Sequence, residues 1–491
     1  MNIAVAILIA VWLFVLVLGL LARRGRVMNL EQWTVGRRGF GGLLIFFLLA
    51  GEIYTTFTFL GASGWAYGYG GVSYYIIAYG ALAYGLGYWL LPPIWRYAQE
   101  RKLYSQTDFF VAQYGSRALG AGVAVVGILA MFPYLALQLE GLGLIVEVTT
   151  GGRIGALPAV LLGTFALTLY VMISGIRAAA WTAAIKDVSL LLVVLFLGLY
   201  LPFHASGGVG PMFHEIARRM PHFLKLPHTG KNAIWFSSTV LLSVLGFYLW
   251  PHTFGSVYAA RDADLFRKNA IVLPLYQLIL LFVFLGGFAA LVLLPGLHDH
   301  DLALLAAAAQ SLPAWVLGLI GGAGLLAALV PGSMLLLAIA TQLARNLIGF
   351  GLAGWDEEKL NLLARALVPL IALSAIAFEW LSGKGIVVLL LLGYGFVTQL
   401  LPALLASLLP RNPVSAPAVW VGAGAGVGVV VLLYFGGPRV HTLLEGLPLP
   451  WRDMNYGILA LILNALLMLA VTALSRLRAG RPPLLLDAGR S

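Results

Sequence analysis

The chain has 491 residues, of which 61% are hydrophobic and only 10% are charged. A soluble protein of this length would carry about 25% charged residues, so the composition excludes a soluble globular protein and indicates an integral membrane protein. The net charge of +11 does not indicate a nucleic-acid partner, because the basic residues lie in short connections between apolar runs whose partner is the lipid bilayer.

About thirteen apolar runs follow one another, each long enough to cross a bilayer core of about 30 Å as a helix. The sequence therefore predicts an all-α integral membrane protein with about 13 transmembrane helices. The first run, residues 4–21, has Asn2 before it and Arg23, Arg24 and Arg26 after it. A secretory signal has the opposite charge order, so a retained span is expected. The other spans are predicted at residues 43–65, 72–93, 118–147, 155–175, 183–204, 233–258, 270–295, 312–348, 362–382, 386–409, 416–435 and 455–475.

The positions of Lys and Arg predict the orientation. With the N-terminus outside, 22 of the 30 Lys and Arg residues fall on the inner side, including Arg177 after the fifth span and Lys186 at the start of the sixth. This places the C-terminus, with a short tail at 476–491, in the cytoplasm of a multi-pass protein of the inner (plasma) membrane. The basic outer loop 205–232 is the main exception, and a small amphipathic helix over the outer mouth is expected there.

Two of the spans are interrupted. The stretch Ala50–Gly71 combines Glu52 and three threonines with six glycines, five of which lie between residues 61 and 71. The stretch Gly246–His252 contains Pro251, which removes a backbone donor. Such groups are tolerated at bilayer depth only where they face protein or a water-filled cavity. Two broken helices five spans apart predict an inverted-repeat transporter with its substrate site between them.

This spacing predicts a single transporter domain over residues 1–491. An extra span at 4–21 precedes a first repeat of about 43–204 and a second repeat of about 233–409. Because five is an odd number, the second repeat enters the membrane upside down relative to the first. Two additional spans cover about 416–475.

Several segments resemble the signature segments of the sodium:solute symporter family. The stretches at 51–70 and 92–110 look most like its bacterial monocarboxylate permease branch. The resemblance implies a LeuT-like fold of two five-helix inverted repeats and a symporter that imports lactate, pyruvate or acetate. The signature segments are WTVGRRGFG (33–41), GIRAAAWTAAIKD (175–187), GFYLWPHTFGSVYAARD (246–262) and AALVPGSMLLLAIATQLARN (327–346).

The resemblance further implies a sodium ion between the broken second span and the ninth span. Its ligands are expected to be the carbonyl groups of Ala50, Ile53 and Ala338 and the side chain of Thr341. The family pattern then has a second serine or threonine, where this sequence has Gln342. The glutamine amide is longer and carries donors as well as an acceptor. The two alternatives for the coupling ion are therefore sodium and a proton.

Glu52 is the strongest candidate residue, as a coupling carboxylate that binds and releases a proton during transport. The alternative is a structural carboxylate that hydrogen-bonds the backbone at the break. Hydroxyl, amide, aromatic and imidazole groups suit a short carboxylate, and the candidate substrate contacts are Thr55, Thr56, Thr58, Tyr134, Gln138, Tyr248, Trp250 and His252. The alternative for each is a hydrogen bond within the bundle.

An enzyme is not predicted. The sequence has no cysteine, no phosphate-binding glycine loop and no nucleophile elbow, so no cofactor is expected beyond a sodium ion. The loop His298–Asp301 is expected to be a solvated outer loop rather than a metal site. The alternatives to a monocarboxylate symporter are a cation-coupled importer of a neutral amino acid such as proline or alanine, a membrane sensor, and a channel.

Overall fold

The computed structural model describes residues 3–23, 30–351 and 355–478. Residues 479–491 of the predicted cytoplasmic tail lie outside the described residues. All named elements of the described part are helical. The longer helices are α1 (Ile3–Arg23), α2a (Gly42–Gly51), α2b (Ala62–Tyr69), α3 (Tyr75–Arg101), α4 (Arg117–Thr149), α5 (Leu157–Met172), α6 (Ala179–Ser206), α7a (Ala233–Gly246), α7b (Pro251–Ala259), α8 (Asp264–Leu293), α9 (Ala314–Gly351), α10 (Glu357–Ser382), α11 (Ile386–Ser407), α12 (Ala416–Phe435) and α13 (Tyr456–Arg478). Shorter connecting helices are Leu30–Val35, Gln106–Tyr114, Val209–Arg219, Ala303–Ser311 and Gly437–Glu445.

The predicted all-α membrane class is confirmed, while the count of 13 spans is supported only approximately. Within the described residues, nine helices are long and apolar enough to cross a membrane, and the bent pair α7a and α7b adds a tenth. The other three predicted spans fall on α2, which is interrupted, on α3, which is rich in Tyr and Gly, and on α5, which is short.

The predicted connection between the fifth and sixth spans is helical instead. The backbone stays in α-helical conformation over the 51 residues Ala156–Ser206. The connection contains the run RAAAWTAA, and alanine has the highest helix propensity of all residues. A straight helix of this length would measure about 75 Å, more than twice a bilayer core of about 30 Å. The apolar segments α5 and α6 are therefore counted as two spans.

The first break separates α2a from α2b. Helix α2a ends at Gly51, residues 52–55 form turns, and a π-helical segment, Phe57–Gly61, leads into α2b. One hydrogen bond in this turn spans only two residues, because the Thr55 N–H donates to the Ile53 carbonyl at 2.9 Å. Several carbonyl groups of this turn therefore lie outside the regular helical ladder and are accessible to side chains from other helices.

The second break separates α7a from α7b. A 3-10 turn, Phe247–Leu249, is followed by Trp250 in extended conformation with ψ 133°. Extended geometry is expected for a residue that precedes proline. Pro251 then opens α7b, where its missing N–H costs no helical hydrogen bond. The two halves of this span meet at an angle of 52°.

Backbone hydrogen bonds fix the two broken spans to each other. The Phe40 N–H donates to the Ala259 carbonyl at 2.9 Å, and the Arg261 N–H donates to the Phe40 carbonyl at 3.1 Å. The Trp95 indole N–H donates to the Ala260 carbonyl at 2.8 Å. The residues before α2a are thereby attached to the end of α7b.

Burial divides the helices into an inner and an outer set. Helices α9 and α11 are almost wholly buried and α4 is mostly buried, whereas α1, α6 and α13 expose most of their residues. An exposed apolar surface of this kind is expected where a helix faces lipid. The inner set packs around the two breaks.

The basic outer loop contains the expected amphipathic helix. Val209–Arg219 buries Met212 and Ile216, and the Phe213 ring packs on Phe288 with centroids 5.2 Å apart. Just after this helix, the Phe223 carbonyl accepts a hydrogen bond from the Gly71 N–H at 3.1 Å. The loop, which is predicted to lie outside, therefore covers the C-terminal end of α2b.

We expect Gly287→Ala to lower the melting temperature of the purified protein in detergent. A methyl group on Gly287 of α8 would lie 2.2 Å from the Ser63 carbonyl oxygen and 2.9 Å from the Ala66 methyl of α2b. Overpacking of this kind typically costs about 1–3 kcal/mol. The matched control is Gly85→Ala, where the added methyl meets no atom within 4 Å of the described structure. Equal melting temperatures of the two variants would contradict the close packing of α8 on α2b.

We expect Asp301→Asn to change how stability depends on pH. Burial raises the pKa of Asp301 to about 6, although its carboxylate accepts the Ile386 N–H at the start of α11. A carboxyl whose folded-state pKa is raised stabilises the fold below its unfolded pKa and loses that contribution as pH rises through about 6. Between pH 8 and pH 5 the wild type should gain on the order of 1 kcal/mol relative to the variant.

Melting temperatures of wild type and Asp301→Asn at pH 5, 6, 7 and 8 measure this difference. Glu357→Gln, at an exposed position, is the control and should follow the wild type at each pH. A constant gap between wild type and Asp301→Asn over this range would contradict the raised pKa.

Candidate transport site at the two helix breaks

One side-chain contact joins the two breaks. Glu52, in the turn after α2a, places Oε2 at 2.6 Å from Nε2 of His252, the second residue of α7b. The two side chains are only 6% and 4% exposed. A carboxylate and an imidazole this close share a short hydrogen bond, which is an ion pair when the histidine is protonated.

Tyrosine hydroxyls from neighbouring helices hold the loosened backbone of α2. The Tyr84 hydroxyl of α3 donates to the Leu49 carbonyl at 2.9 Å, and the Tyr134 hydroxyl of α4 donates to the Glu52 carbonyl at 3.0 Å. These bonds satisfy carbonyl groups that the break removes from the helical ladder. They also fix the direction in which the Glu52 side chain leaves the backbone.

Each partner of the Glu52–His252 pair has one further polar side-chain atom that the contact does not use. Glu52 Oε1 and His252 Nδ1 are buried and have no hydrogen-bond partner among the described residues. Both residues line a small cavity of about 10 Å³ together with Gly51, Ala183 and Met334. His252 also lines a second cavity, of about 40 Å³, together with Ala338, Thr341 and Gln342 among others. The pair therefore adjoins two small cavities that α9 helps to line.

Aromatic rings form a wall beside the pair. The Tyr134 ring lies 5.0 Å from Trp250 and 5.7 Å from the His252 ring, measured between centroids. Tyr394 of α11 adds a ring 5.2 Å from Trp250, a contribution that the sequence did not single out. Tyr248 faces α3 instead, where its hydroxyl lies over Gly87.

The three candidate threonines serve different partners. Thr56 donates to the Gln138 side-chain oxygen of α4 at 2.7 Å, so these two residues meet in one hydrogen bond. Thr55 and Thr58 are engaged with the backbone of their own turn: the Thr58 hydroxyl donates to the Thr55 carbonyl at 3.0 Å, and the Thr55 hydroxyl accepts the Phe57 N–H at 3.1 Å. Their observed bonds are the local type that competes with regular helix.

The candidate sodium ligands lie on α2 and α9. The Ala50 carbonyl accepts the N–H groups of Ile53 and Tyr54 at 3.1 and 3.3 Å, and the Ile53 carbonyl accepts the Thr55 N–H. On α9, the Thr341 hydroxyl donates to the Leu337 carbonyl at 2.7 Å.

Gln342 turns its amide towards α4 and the helix before it. Its Nε2 lies 3.5 Å from the Thr107 hydroxyl, and a methyl group on Gly127 would lie 3.1 Å from its Oε1. The Gln342 amide thus packs against Thr107 and Gly127, while Ala338 and Thr341 line the 40 Å³ cavity with it.

Lys186 and Asp187 form a buried ion pair that was not predicted from the sequence, where Lys186 was expected to belong to the positive charges of the inner side. Both side chains are 0% exposed, with Lys186 Nζ at 2.9 Å from Asp187 Oδ1. Lys186 Nζ also donates to the carbonyls of Tyr54 at 2.6 Å and Gly51 at 3.3 Å, in the first break. The signal was available, because two adjacent ionisable residues followed by the apolar run VSLLLVV are costly in a membrane helix unless they face the protein interior.

The buried Gln399 of α11 and the acidic residues of the loop His298–Asp301 have structural partners. Gln399 donates to the Gly395 carbonyl of its own helix and is bonded by Asn464 of α13. In the outer loop, Asp299 accepts the Asp301 N–H and Asp301 accepts the Ile386 N–H, so these carboxylates organise backbone rather than a cluster of metal ligands.

A basic, aromatic vestibule lies on the predicted outer side. A cavity of about 250 Å³ is lined by Trp65, Lys231, Trp235 and Arg452 among others. The Lys231 ammonium lies 4.3 Å from the centre of the Tyr69 ring, and burial lowers the pKa of Lys231. Arg452 is paired with Asp453 at 3.2 Å.

Comparison with known sequences agrees with this architecture. A family model described as the sodium:solute symporter family matches residues 33–381. Over 478 residues the chain is 52% identical to the uncharacterized symporter YhjB of Bacillus subtilis, covering 97% of this chain and 98% of that protein. It is 29% identical to the monocarboxylate transport permease protein of Rhizobium johnstonii, covering 96% of each chain.

Comparison with solved structures concerns the fold. A Na+-coupled sialic acid symporter in a substrate-bound outward-open state superimposes with a TM-score of 0.78 at 16% identity, covering 96% of this chain and 97% of that one. A nucleobase-cation-symport-1 family transporter gives a TM-score of 0.57 at 13% identity, covering 90% and 95%. These likenesses show the LeuT-like transporter fold. The chain is thus a multi-pass membrane transporter rather than an enzyme, and it belongs to the sodium:solute symporter family, whose members couple the movement of a solute to that of a cation.

Proposed function

We propose that this protein is a secondary-active symporter that imports a small monocarboxylate of the lactate, pyruvate or acetate type. A sodium or proton gradient drives the import by alternating access. The protein resides in the inner (plasma) membrane with its N-terminus outside and its C-terminus in the cytoplasm.

The observation that carries this proposal is the 2.6 Å contact between Glu52 and His252, which joins the two helix breaks. A ligand can shift a conformational equilibrium only by its difference in affinity for the two states. A proton or a carboxylate bound at this pair changes the contact between α2 and α7 directly. Binding at this position therefore supplies such a difference.

The surroundings of the pair suit a short carboxylate. His252 Nδ1 is buried without a partner in the described structure and is a donor whenever the ring is charged. The rings of Tyr134 and Trp250 offer an apolar surface to the other end of such a molecule. The Rhizobium relative is named as a monocarboxylate permease, and the vestibule with Lys231 would attract an anion towards the protein.

Two coupling routes follow from the residues. In the proton route, Glu52 exchanges a proton with water or with His252 during each cycle. In the sodium route, the carbonyls of Ala50, Ile53 and Ala338, the Thr341 side chain and Gln342 hold the ion. Thr55, Thr56, Thr58, Gln138 and Tyr248 then complete or support the substrate site.

Uptake of labelled lactate into proteoliposomes tests the proposed function. We expect saturable uptake that is stimulated when an inward proton or sodium gradient is imposed, and trans-acceleration by lactate inside the vesicles, which a channel does not show. Each gradient is imposed alone, at a matched membrane potential. Uptake that neither gradient stimulates would contradict symport. Saturable uptake of proline or alanine, without uptake of any organic acid, would contradict the monocarboxylate assignment.

We expect Glu52→Gln to reduce gradient-driven uptake by about tenfold or more, because a hydrogen bond to a charged group contributes about 1.5–3 kcal/mol. Exchange of labelled for unlabelled lactate at equal pH should decline less, since exchange needs no net proton movement. The control is Glu358→Gln, at an exposed position in the first turn of α10, which should transport like the wild type. Equal losses of driven uptake and exchange would indicate a structural carboxylate instead of a proton carrier.

A further inference from the structure

Lys186 is an ammonium group in the interior of a membrane domain. Its side chain is 0% exposed, and Nζ lies within hydrogen-bond distance of three oxygens: Tyr54 O at 2.6 Å, Asp187 Oδ1 at 2.9 Å and Gly51 O at 3.3 Å. Removing a charge from water costs several kcal/mol unless its partners compensate. The fold therefore accommodates this charge with a carboxylate and two backbone dipoles.

The two backbone partners are products of the helix break. Gly51 is the last residue of α2a and Tyr54 lies in the turn that follows it, and their carbonyl groups converge on Lys186 Nζ. In a regular helix these oxygens would accept N–H groups one turn later and would not converge. Converging carbonyl oxygens at a helix break form a site for a monovalent cation, and the ammonium of α6 fills that site.

The groups that the family resemblance assigns to sodium are already engaged. The Ala50 and Ile53 carbonyls accept backbone N–H groups, and the Thr341 hydroxyl donates to the Leu337 carbonyl. Two carboxylate oxygens nearby, Glu52 Oε1 and Asp187 Oδ2, accept no hydrogen bond from the described residues. A second monovalent cation about 5 Å from the ammonium would nevertheless be repelled by about 3 kcal/mol at an effective dielectric constant of 20.

We propose that the Lys186 ammonium is the permanent cation of the α2 break, where it supplies the positive charge that a bound sodium ion would otherwise supply. Transport then does not require sodium. This inference refines the proposed cation-coupled import by assigning one of its two coupling routes. Asp187 is the counter-ion that keeps the ammonium charged and in place.

The sodium requirement can be measured without any substrate. Purified wild-type protein in detergent is titrated with sodium chloride against choline chloride at constant ionic strength, with melting temperature and binding of radioactive sodium as readouts. We expect the same melting temperature in both salts and no saturable sodium binding. A sodium-specific rise in melting temperature, or saturable binding near one ion per chain, would overturn the proposal.

The variant Lys186→Ser tests the role of the ammonium itself. It removes the charge but leaves Asp187 and the two carbonyl groups, so we expect the variant to melt at a lower temperature in choline and to be stabilised by sodium. Lactate uptake in choline should fall by about tenfold or more and recover in part in sodium. Lys268→Ser, at an exposed position in α8, is the control and should behave like the wild type.

The outcomes separate this inference from the proposed function. If no monocarboxylate is transported, the proposed function fails, while the sodium titration of the wild type still decides the role of Lys186. Full sodium-independent uptake by Lys186→Ser would overturn the inference even if lactate transport is confirmed. If Lys186→Ser cannot be purified in folded form, two wild-type measurements still test the inference. These are the sodium titration and the comparison of uptake in sodium with uptake in choline.

Discussion

The contact between Glu52 and His252 is the constraint on which the site depends. Each residue belongs to a helix that is interrupted at bilayer depth, and each would be costly to bury alone. Together they form a short hydrogen bond that fixes the two breaks side by side, with Tyr134 holding the backbone of Glu52 from α4. The loss of regular helix at both breaks is thus offset by tertiary hydrogen bonds, and these bonds place polar groups where a ligand can change them.

The sequence predicted the breaks because their causes are local. Pro251 removes a backbone donor and forces Trp250 into extended conformation, and glycines loosen α2. The all-α class and most span boundaries followed from apolar runs. The pairing of Glu52 with His252 was not predictable in the same way, since it joins residues 200 positions apart through the packing of whole helices. The Ala-rich junction before α6 was expected to be a loop because it carries charge, but it is helical and turns Lys186 into the core.

The candidate site residues illustrate the same limit. Tyr134, Trp250 and His252 come together in one wall, whereas Tyr248 faces α3 and two of the three threonines bond their own turn. Residue type and depth can be read from a single sequence, but the direction of a side chain at an irregular turn depends on φ and ψ angles that no helical period predicts. Tyr394 lies in regular helix and was missed for another reason, because its aromatic contact with Trp250 depends on how α11 packs against α7.

The carbonyl groups of the α2 turn show how the break is linked to movement. Lys186 of α6 binds the carbonyls of Gly51 and Tyr54, while Tyr134 of α4 binds the carbonyl of Glu52 between them. Neighbouring residues of one turn are therefore held by two different helices. Any rotation of α2 relative to α4 and α6 must lengthen at least one of these bonds, and in a low-dielectric interior that cost is greatest for the bond to the ammonium. In the mechanism that we propose, a fixed charge at Lys186 would resist movement of the turn, and binding of a proton or substrate at the Glu52–His252 pair would release it.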